Sequence, residues 1–393
     1  MTPFLQTLFW LAIIIVFYTY IGYGILLYAL VKIKEKFRPE QPLTLPVPLP
    51  EVTLLIAAYN EEKVIKAKMD NCALLDYPKD KLHVMWVTDG STDSTNTLLA
   101  AYPETTVLFA PERKGKTAAL NRAMPYVKTS YTIFTDANTM LNAASIKEIM
   151  TCFTDPQTGC VAGEKRIENK GKDNAAAGGE GFYWRYESKL KAWDSKLHSA
   201  VGAAGELFAI RTELFENIPE DTLLDDFTLS LRIATRGYKI AYRDKAYAIE
   251  SGSADMHEEQ KRKVRIAAGG LQAITRLKDL LNIFKYGSLS FQYISHRVLR
   301  WSVTPVLLFL LFPLNLLLAT MIQDSIMYKV IFILQTIFYL LACLGAILAT
   351  KQIKIKILFI PYFYIYESKR VKSFFLLKKI QWKRYVGESE KIR

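Results

Sequence analysis

The sequence predicts an α/β protein built on a doubly wound, mostly parallel sheet. Short runs of β-favouring residues alternate with polar loops and helix-like stretches through residues 52–138, and this alternation is typical of parallel sheets. Long uncharged runs lie on either side of this region, and each exceeds the ~20 residues needed to cross a bilayer. We therefore expect a globular α/β domain flanked by membrane-spanning helices.

The first two strand–loop–helix units follow one another closely. A strand is predicted at Val52–Ala57, followed by a helix that begins near Glu61 with Asn60 as its N-cap. A second strand is predicted at His83–Val87, and it runs into the polar loop 88–91 before the next helix. The polar loops should share one edge of the sheet, because the carboxyl ends of parallel strands meet there.

The next two units end in charged or polar residues. A strand at Val107–Ala110 leads through a basic loop to a helix at Thr117–Met124. The fourth strand lies in Tyr131–Asn138, which reads YTIFTDAN. Ligands gather beyond the carboxyl ends of such strands, so Asp136 and Asn138 are predicted to face a divalent ion or a ribose. The alternative for this stretch is a strand end followed by an Asx turn.

Three uncharged runs predict three membrane-spanning helices, at Phe4–Val31, Trp301–Gln323 and Val330–Thr350. Basic residues follow the first run, precede the second and follow the third, so the positive-inside rule places all three clusters in the cytoplasm. We expect a multi-pass protein of the inner (plasma) membrane with a cytoplasmic middle domain. The basic residues are Lys32, Lys34, Lys36, Arg38, Arg297, Arg300, Lys351, Lys354 and Lys356.

Two further segments are predicted to contact the bilayer. Apolar residues recur at helical spacing from Leu271 to Phe284 with basic residues between them, which indicates an interfacial helix or a helix packed on the globular domain. Residues 351–393 carry twelve basic and three acidic residues, so most of the net charge of +13 lies there. This localisation indicates anionic lipid headgroups as the partner and argues against nucleic acid.

Seven motifs in a fixed order carry a resemblance to a known family. The chain resembles the membrane-bound family 2 glycosyltransferases, which have the GT-A fold, from about residue 50 to 270. Its membrane segments look like those of bacterial polysaccharide synthases of the cellulose, hyaluronan and poly-N-acetylglucosamine type. The motifs are AAYNEE (57–62), VTDGSTDST (87–95), KGK (114–116), TDAN (135–138), GAAGELFAIR (202–211), LLDDFTLSLR (223–232) and RKVRI (262–266).

The resemblance and the composition together divide the chain into six parts. These are an N-terminal transmembrane helix (1–38), a Pro-rich linker (39–50), a GT-A glycosyltransferase domain (51–270), an amphipathic interfacial helix (271–295), a transmembrane hairpin (296–350) and a basic amphipathic cytosolic tail (351–393).

The resemblance implies that the substrate is a nucleotide-diphosphate sugar, most simply a UDP-sugar, and it assigns residues to its parts. Asp89 would accept from the uracil imide and Tyr59 would lie near the ring. Cationic side chains would meet the diphosphate, where charge-assisted hydrogen bonds are strongest. Taken alone, Asp89 could instead cap a turn, and the cations could be ordinary surface charge. The assigned residues are Ala58, Tyr59, Glu61 and Asp89 for the nucleotide, Lys116 and Arg265 for the diphosphate, and Asp136 for the divalent ion of the donor site.

A departing diphosphate usually needs a divalent cation, and oxygen ligands suit Mg²⁺ or Mn²⁺. The resemblance places Asp136 and Asn138 at the two metal-binding positions of the family's DxD motif. An amide oxygen can ligate a metal but brings no charge, so we expect weaker metal binding or a further ligand. His257 is a candidate for that ligand, although a lone exposed histidine commonly has no such role.

The acceptor hydroxyl needs a base, and Asp225-Asp226 precedes a predicted helix at Phe227–Thr235. The resemblance aligns this pair with the family's Glu-Asp pair and implies that Asp226 is the general base. Adjacent carboxylates at a helix start could instead complement the helix dipole. One base without a second sugar nucleophile is consistent with inversion of configuration, so an α-linked donor should give a β-linked product.

The acceptor region is implied by the same resemblance. Gly202, Gly205 and Glu206 would contact the acceptor and the donor sugar, with a tight turn into a strand as the alternative. Trp184 offers an aromatic face for a sugar ring, and a helix packed on the sheet is the alternative. Processive members carry Gln-x-x-Arg-Trp, but the aligned stretch Arg262–Ile266 keeps only the arginine.

Two classes of function therefore remain open from the sequence. The first is a glycosyltransferase whose acceptor is either a polysaccharide or a lipid-linked molecule, with a possible export or synthase subunit as partner. The second is a catalytically silent nucleotide-sugar-binding scaffold or sensor in a polysaccharide export complex, which Asn138 keeps open. A transporter is disfavoured because the uncharged spans offer no polar path.

Overall fold

The computed structural model describes residues 2–39, 42–168, 174–251 and 256–350. The predicted cytosolic tail at 351–393 lies outside the described residues, and so does the side chain of His257.

An eight-stranded sheet forms the centre of the described part of the chain, with the strand order β3-β2-β1-β4-β7-β6-β8-β5. Parallel pairs join β1 to β2 and β4, β2 to β3, and β6 to β8, whereas β7 runs antiparallel to both of its neighbours. The strands are β1 (Val52–Ala58), β2 (Leu82–Asp89), β3 (Thr106–Ala110), β4 (Tyr131–Asp136), β5 (Thr139–Leu141), β6 (Thr158–Glu168), β7 (Leu207–Arg211) and β8 (Lys239–Ser251).

The register of the parallel half brings three strand ends together. Ala58 is paired with Thr88 of β2, and Ala57 is paired with Asp136 of β4. The carboxyl ends of β2, β1 and β4 therefore lie side by side at one edge of the sheet. The sequence predicted that the polar loops share one edge of the sheet, and this parallel pairing brings the strand ends together at one edge.

Helices cover both faces of the sheet and extend beyond it. They are α1 (Thr2–Phe17), α2 (Tyr23–Phe37), α3 (Ile65–Ala73), α4 (Thr95–Leu99), α5 (Lys116–Ala123), α6 (Ser145–Cys152), α7 (Asn174–Leu197), α8 (Asp225–Thr235), α9 (Met256–Arg276), α10 (Ile283–Tyr286), α11 (Ser288–Tyr293), α12 (Thr304–Met321) and α13 (Ile326–Thr350). π-Helical segments at Tyr18–Gly22 and Ile294–Val303 join α1 to α2 and α11 to α12.

The alternation of side chains along the strands produces two hydrophobic layers. Leu55 and Phe134 face α5, α8 and the start of the membrane hairpin, where they join Leu120, Leu229 and Trp301. Leu54, Ile56 and Ile133 face the opposite layer, which contains α3 and α6. Because successive residues of a strand point to opposite faces, an almost uninterrupted apolar run supplies both layers.

Two predicted local features are wrong. The helix after β1 begins at Ile65 and not near Glu61, and Asn60 is not its N-cap, since Val64 precedes the first helical residue. Asn60 has a φ of 55°, and its Oδ1 accepts from Thr92 N at 2.8 Å. The loop after β1 therefore uses its amide side chain to bind the neighbouring loop, and the helix starts a turn later.

Three helical stretches in the described ranges are long and apolar enough to cross a membrane: Thr2–Phe37, Ser288–Met321 and Ile326–Gly345. They match the three predicted spans in number and place. In the bundle, Phe9 of α1 packs with Leu311 and Leu318 of α12 and with Tyr328 of α13. The C-terminal part of the first span, α2, packs against α7 of the globular domain.

The segment 271–295 is not the single amphipathic helix that we predicted. It contains the end of α9, a 3₁₀ turn at Lys278–Leu281, and the short helices α10 and α11. Leu277 and Leu280 are buried in the globular core, so part of its apolar face packs on the sheet domain. Phe284 is 99% exposed.

Candidate active site

The loops that follow β1 and β2 are bound to each other at the shared edge of the sheet. Asn60 N donates to Ser91 Oγ at 3.1 Å, and the Asn60 side chain accepts from Thr92 N at 2.8 Å. Glu61 N donates to Thr95 Oγ1 at 2.8 Å. Each contact satisfies a loop amide that has no partner in a helix or strand, so the two loops form one polar rim.

Asp89 connects this rim to the basic loop before α5. Its side chain is buried, Gly115 N donates to Oδ2 at 2.6 Å, and Lys114 N lies 3.1 Å from both oxygens. The adjacent Gly90 has a φ of +68°, and a methyl there would lie 2.6 Å from Arg113 N. This close approach requires glycine at position 90. The contacts from Lys114 N and Gly115 N occupy most of the acceptor positions of the Asp89 carboxylate, so Asp89 holds the loop before α5.

The residues predicted to surround the nucleotide base lie beside this loop. Ala58 is buried at the end of β1, and the Arg113 guanidinium lies 3.7 Å from the centroid of the Tyr59 ring. Burial raises the pKa of the Glu61 carboxyl, and the negative charge of Asp136 raises it further. Glu61 therefore belongs to the same electrostatic environment as Asp136.

Lys116 occupies the centre of an acidic group. Its Nζ donates to Asp136 Oδ1 at 2.5 Å. A methyl built on Gly205 would lie 3.2 Å from both Lys116 Nζ and Asp226 Oδ2, so the ammonium and the second carboxylate flank this glycine. Desolvation lowers the pKa of Lys116, but the charges of Asp136, Asp225 and Asp226 outweigh it and raise the pKa above its usual range. The ammonium is held charged among three carboxylates.

Asp226 has the electrostatics expected of a base that works near neutral pH. Desolvation and the charge of Asp225 raise the pKa of Asp226 to about 7, although Lys116 and the Phe227 amide oppose the shift. Asp226 Oδ1 accepts from Phe227 N at 2.7 Å. A catalytic base is most effective when its pKa is close to the working pH, because it is then both available and strong enough to accept a proton.

Asp225 and Asp226 lie in the first turn of α8, which begins two residues earlier than we predicted. Both carboxylates are half-buried, and Asp225 Oδ2 is buried without a hydrogen-bond partner among the described residues. An unsatisfied buried oxygen costs free energy, so a simple dipole-complementing role accounts poorly for Asp225.

Gly202 lies where the loop between α7 and β7 closely approaches α8. Its φ is +88°, and a methyl there would lie 2.2 Å from the Phe227 ring. Ala203 N donates to Ser230 Oγ at 2.9 Å, and Ser230 Oγ donates to the carbonyl of Asp226 at 2.8 Å. The loop and the acid pair are thus fixed relative to each other through both packing and hydrogen bonds.

Glu206 is held by a buried lysine. Lys165 Nζ lies 2.5 Å from Glu206 Oε1 and also pairs with Glu250 of β8. Burial raises the pKa of Glu206, but the charge of Lys165 outweighs it and lowers the pKa below its usual range. Glu206 is therefore an anion at neutral pH, and its charge raises the pKa of Asp226.

The comparison with known families identifies the globular domain. The model of the family described as glycosyltransferase like family 2 matches residues 50–269, which is more than half of the chain. The chain belongs to this family. The resemblance read from the seven motifs is confirmed, and so is the α/β fold class.

Curated relatives of this glycosyltransferase differ in their acceptors. The β-monoglucosyldiacylglycerol synthase of Nostoc is 28% identical over 246 residues, which cover 59% of this chain and 52% of that protein. The poly-β-1,6-N-acetyl-D-glucosamine synthase of Staphylococcus aureus is 27% identical over 246 residues, covering 60% and 57%. The chain spans little more than half the length of these relatives.

A solved structure supports the fold. The mannosyltransferase PcManGT from Pyrobaculum calidifontis, determined in complex with GDP-Man and Mn²⁺, has a TM-score of 0.61 and 23% sequence identity. The match covers 84% of this chain and 96% of that one. At this identity the similarity concerns the fold alone, which is the GT-A-like arrangement predicted from the sequence.

The donor atoms at the end of β4 fit a hard divalent cation. Asp136 is half-buried and Asn138 is exposed, so both oxygens are accessible at the rim. The described residues contain no group of three or more His, Cys, Asp or Glu side chains that could hold a metal. Mg²⁺ commonly uses one or two protein oxygens together with substrate phosphates, so a small donor set of this kind is suitable.

Two other predicted site residues, Arg265 and Trp184, lie on the helices α9 and α7. Arg265 is exposed on α9. Trp184 is half-buried on α7, two residues before Tyr186, whose hydroxyl donates to the carbonyl of Tyr20 at 2.9 Å. This region of α7 packs on the first membrane span, and the sugar-binding role of Trp184 stays a prediction.

Sequence analysis missed Lys68, which lies beneath the Asp136 turn. Lys68 is fully buried on α3, and its Nζ donates to Thr139 O at 2.6 Å and to Thr135 Oγ1 at 3.2 Å. Burial lowers the pKa of Lys68 to about 8, although the charge of Asp136 opposes this. A signal was present in the sequence, because Lys68 shares the helix face of Ile65 and Cys72, both of which are buried.

Replacing Lys68 should reveal this burial as a pH-dependent stability change. The folded pKa of about 8 lies below the usual 10.5, so folding costs the wild type free energy below pH 8 and progressively less up to pH 10.5. The stability of Lys68→Met relative to wild type should be greater at pH 7 than at pH 10 by about 2 kcal/mol. Melting temperatures of the detergent-solubilised proteins at both pH values test this, and an unchanged difference would contradict it.

Proposed function

We propose that this family 2 glycosyltransferase is a membrane-anchored, inverting and metal-dependent hexosyltransferase. It transfers a sugar from a UDP-sugar to a lipid or lipid-linked acceptor and forms a β-glycosidic bond. The observation that carries the proposal is that Lys116 lies among three carboxylates from two elements, Asp136 at the end of β4 and Asp225-Asp226 at the start of α8. These groups suit a reaction that releases a diphosphate and deprotonates a hydroxyl.

The mechanism assigns the proton to Asp226. Its carboxylate accepts the proton of the acceptor hydroxyl as the acceptor oxygen forms a bond to the anomeric carbon of the donor. The bond between that carbon and the diphosphate oxygen breaks in the same displacement, and the electron pair leaves with the diphosphate. A single displacement inverts the configuration, so an α-linked donor gives a β-linked product.

The remaining residues bind and orient the donor. The Lys116 ammonium would donate to a diphosphate oxygen, and fixed charges of this kind stabilise the charge that develops on a leaving group. Asp136 and Asn138 would hold a divalent cation, Mg²⁺ or Mn²⁺, which supplies neutralisation of the diphosphate charge. The rim formed by Ala58, Tyr59, Glu61 and Asp89 would bind the nucleotide.

The proposed acceptor follows from the membrane setting. The Gly202 and Gly205 loop lies beside α8, and Trp301 at the start of the membrane hairpin packs in the same core layer. The Nostoc relative is a glucolipid synthase and the Staphylococcus aureus relative is a polysaccharide synthase, so both product types occur among similar proteins. The departure from Gln-x-x-Arg-Trp at Arg262–Ile266 favours single transfer over polymer growth.

Localisation at the inner (plasma) membrane with a cytoplasmic catalytic domain completes the proposal. In the sequence, basic residues follow the first span, precede the second and follow the third, which favours this orientation. The exposed apolar turn at Ile283 and Phe284 directly precedes the second span and carries Lys285, so it would lie at the headgroup level.

A transfer assay with membranes that contain the protein tests the function. We expect labelled UDP-glucose or UDP-N-acetylglucosamine to give a single organic-soluble product with a β linkage. A ladder of lengthening products would instead show that the acceptor is a growing polysaccharide. Nucleotide binding without transfer and without donor hydrolysis would contradict the enzyme and support a scaffold or sensor.

Metal dependence should respond to the charge at residue 138. Chelation of divalent cations is expected to abolish transfer, and Mn²⁺ should restore it. Asn138→Asp adds a charged oxygen ligand and should lower the Mn²⁺ concentration for half-maximal transfer by about tenfold. Asn217→Asp, at an exposed position outside the site, serves as the control. Full activity after chelation would refute the proposed metal requirement.

A further inference from the structure

A largely buried group of polar and charged residues joins the membrane spans to the globular domain. We name it the junction cluster, and none of its members belongs to the site described above. Its residues come from the first span, from α7, and from α11 with the π-helical segment that leads into the second span. They are Tyr23, Glu187, Asp194, Gln292, His296, Arg297 and Arg300.

One half of the junction cluster surrounds Asp194, which is fully buried. His296 Nδ1 lies 2.5 Å from Asp194 Oδ2, and Gln292 Nε2 donates to Asp194 Oδ1 at 3.0 Å. The hydroxyl of Tyr23, on the first span, donates to the same carboxylate. These contacts attach both membrane segments to one residue of α7.

The other half surrounds Glu187. Arg297 Nη1 lies 2.7 Å from Oε1, Arg300 Nη1 lies 2.7 Å from Oε2, and His296 Nε2 lies 3.1 Å from Oε1. Burial raises the pKa of Glu187, but the positive charges of Arg297, His296 and Arg300 outweigh it and lower the pKa well below its usual range. The carboxylate is ionised and fixed by three partners.

A cluster of this kind is an expensive way to stabilise a fold. Desolvating several charges costs about as much as their mutual attraction returns, so buried ion pairs add little net stability. Their effect is geometric, since removing one partner leaves another buried and unpaired. The junction cluster therefore fixes the rotation and height of the π-helical segment Ile294–Val303 relative to α7.

Two side chains of the fixed segment reach the candidate active site. Arg297 Nε donates to the carbonyl of Val201 at 3.3 Å, one residue before Gly202. The Trp301 ring lies 5.0 Å from the Phe227 ring, one residue after Asp226. Gly270 of α9 allows this position, because a methyl there would lie 2.6 Å from the Trp301 ring.

We propose that Arg297 and Trp301 are positioning residues through which the membrane spans set the acceptor side of the active site. Arg297 holds the loop that carries Gly202, and Trp301 holds Phe227 and with it the Asp226 carboxylate. The junction cluster anchors both side chains to α7 and to the first span. This inference rests on the proposed function, because it assigns Asp226 to the reaction.

The test normalises the transfer rate to the number of UDP-binding sites, so that a loss of folded protein is not counted as a loss of positioning. Trp301→Ala, Trp301→Phe and Arg297→Lys are purified in detergent as full chains, and UDP binding with Mn²⁺ is titrated to count the sites. We expect Trp301→Ala to lower kcat per UDP-binding site by about 10- to 100-fold, since a shift of ~1 Å at a reacting group has effects of that size. The Kd for UDP should change by less than about twofold, because the substitution does not alter the polar rim that would bind the nucleotide.

The conservative variants and a control complete the design. Trp301→Phe keeps an aromatic contact with Phe227 and should recover most of the activity, whereas Arg297→Lys keeps the charge but loses the Nε donor and should lower kcat. Trp10→Phe removes a membrane tryptophan that donates to Tyr328 OH at 3.3 Å, far from the site, and should keep wild-type kcat.

The outcomes are distinguishable. Wild-type kcat per UDP-binding site in Trp301→Ala and Arg297→Lys would overturn the inference, even if their melting temperatures fell. If Trp301→Ala does not fold, Arg297→Lys decides the question in the same assay. Absence of transfer by the wild type would instead refute the proposed function itself.

Discussion

Asp226→Asn is expected to lower kcat for sugar transfer by about 10³-fold and to leave the Kd for UDP close to the wild-type value. The amide cannot accept the proton of the acceptor hydroxyl, whereas the nucleotide contacts predicted for Tyr59 and Asp89 lie on the other side of the site. Initial rates with saturating donor, together with UDP titration, measure the two effects separately.

The wild-type pH profile gives an independent reading of the same residue. The pKa of Asp226 is raised to about 7, and only the deprotonated form can act as a base. Transfer should therefore rise as the pH passes through about 7 and level off above it. The chain offers Asp80→Asn as a matched control, because Asp80 is exposed before β2, at the opposite edge of the sheet. Wild-type rates in Asp226→Asn would remove this residue from the mechanism.

Lys116→Met should have the second-largest effect, with kcat/KM for the donor lower by about 10²-fold or more. The substitution removes the cation that pairs with Asp136 and that, together with Asp226, flanks Gly205. This is the cation that we propose binds the diphosphate. The substitution should also move the rising limb of the pH profile to higher pH. The sign follows from the charge of Lys116, which lowers the pKa of Asp226, so its loss lets the pKa rise further.

Two neighbouring variants make the Lys116 result specific. Lys116→Arg keeps a cation at the site and should retain more activity than Lys116→Met. Lys114→Met is the control, since Lys114 contacts Asp89 through its backbone amide and not through its side chain. A pH profile of Lys116→Met that coincides with the wild-type profile would show that the charge of Lys116 does not reach the base.

The strands and their polar ends could be predicted from local sequence. Val52–Ala57 and Tyr131–Asp136 are apolar runs bounded by polar residues, and their pairing in a parallel sheet follows from the alternation with helices. The position of Asp136 at the rim needs only the end of its own strand and the rule that parallel carboxyl ends meet.

Features that depend on contacts between distant residues could not be predicted in this way. Nothing near Lys116 in the sequence indicates that its ammonium lies beside both Asp136 and Asp226, which are 20 and 110 positions away. The junction cluster around Glu187 and Asp194 likewise arises from tertiary packing, which buries polar helix residues that their polarity alone would place in solvent. The burial of Lys68 differs, because its spacing from Ile65 and Cys72 already indicated a buried helix face.

The errors in local structure have similar causes. Helix propensity favours a start near Glu61, but the backbone amides of Glu61 and Glu62 bind side chains of the loop after β2 and delay the helix to Ile65. The apolar spacing from Leu271 to Phe284 suits one helix, yet burial of Leu277 and Leu280 in the core and a turn at Asn282 divide it.

A structure of the protein with UDP and Mn²⁺ bound tests the central claim most directly. The account predicts the diphosphate in contact with the Lys116 ammonium and Mn²⁺ held by Asp136, with the Asp226 carboxylate facing the position of the anomeric carbon. A diphosphate bound away from Lys116, or an Asp226 carboxylate that points away from the position of the anomeric carbon, would contradict the account.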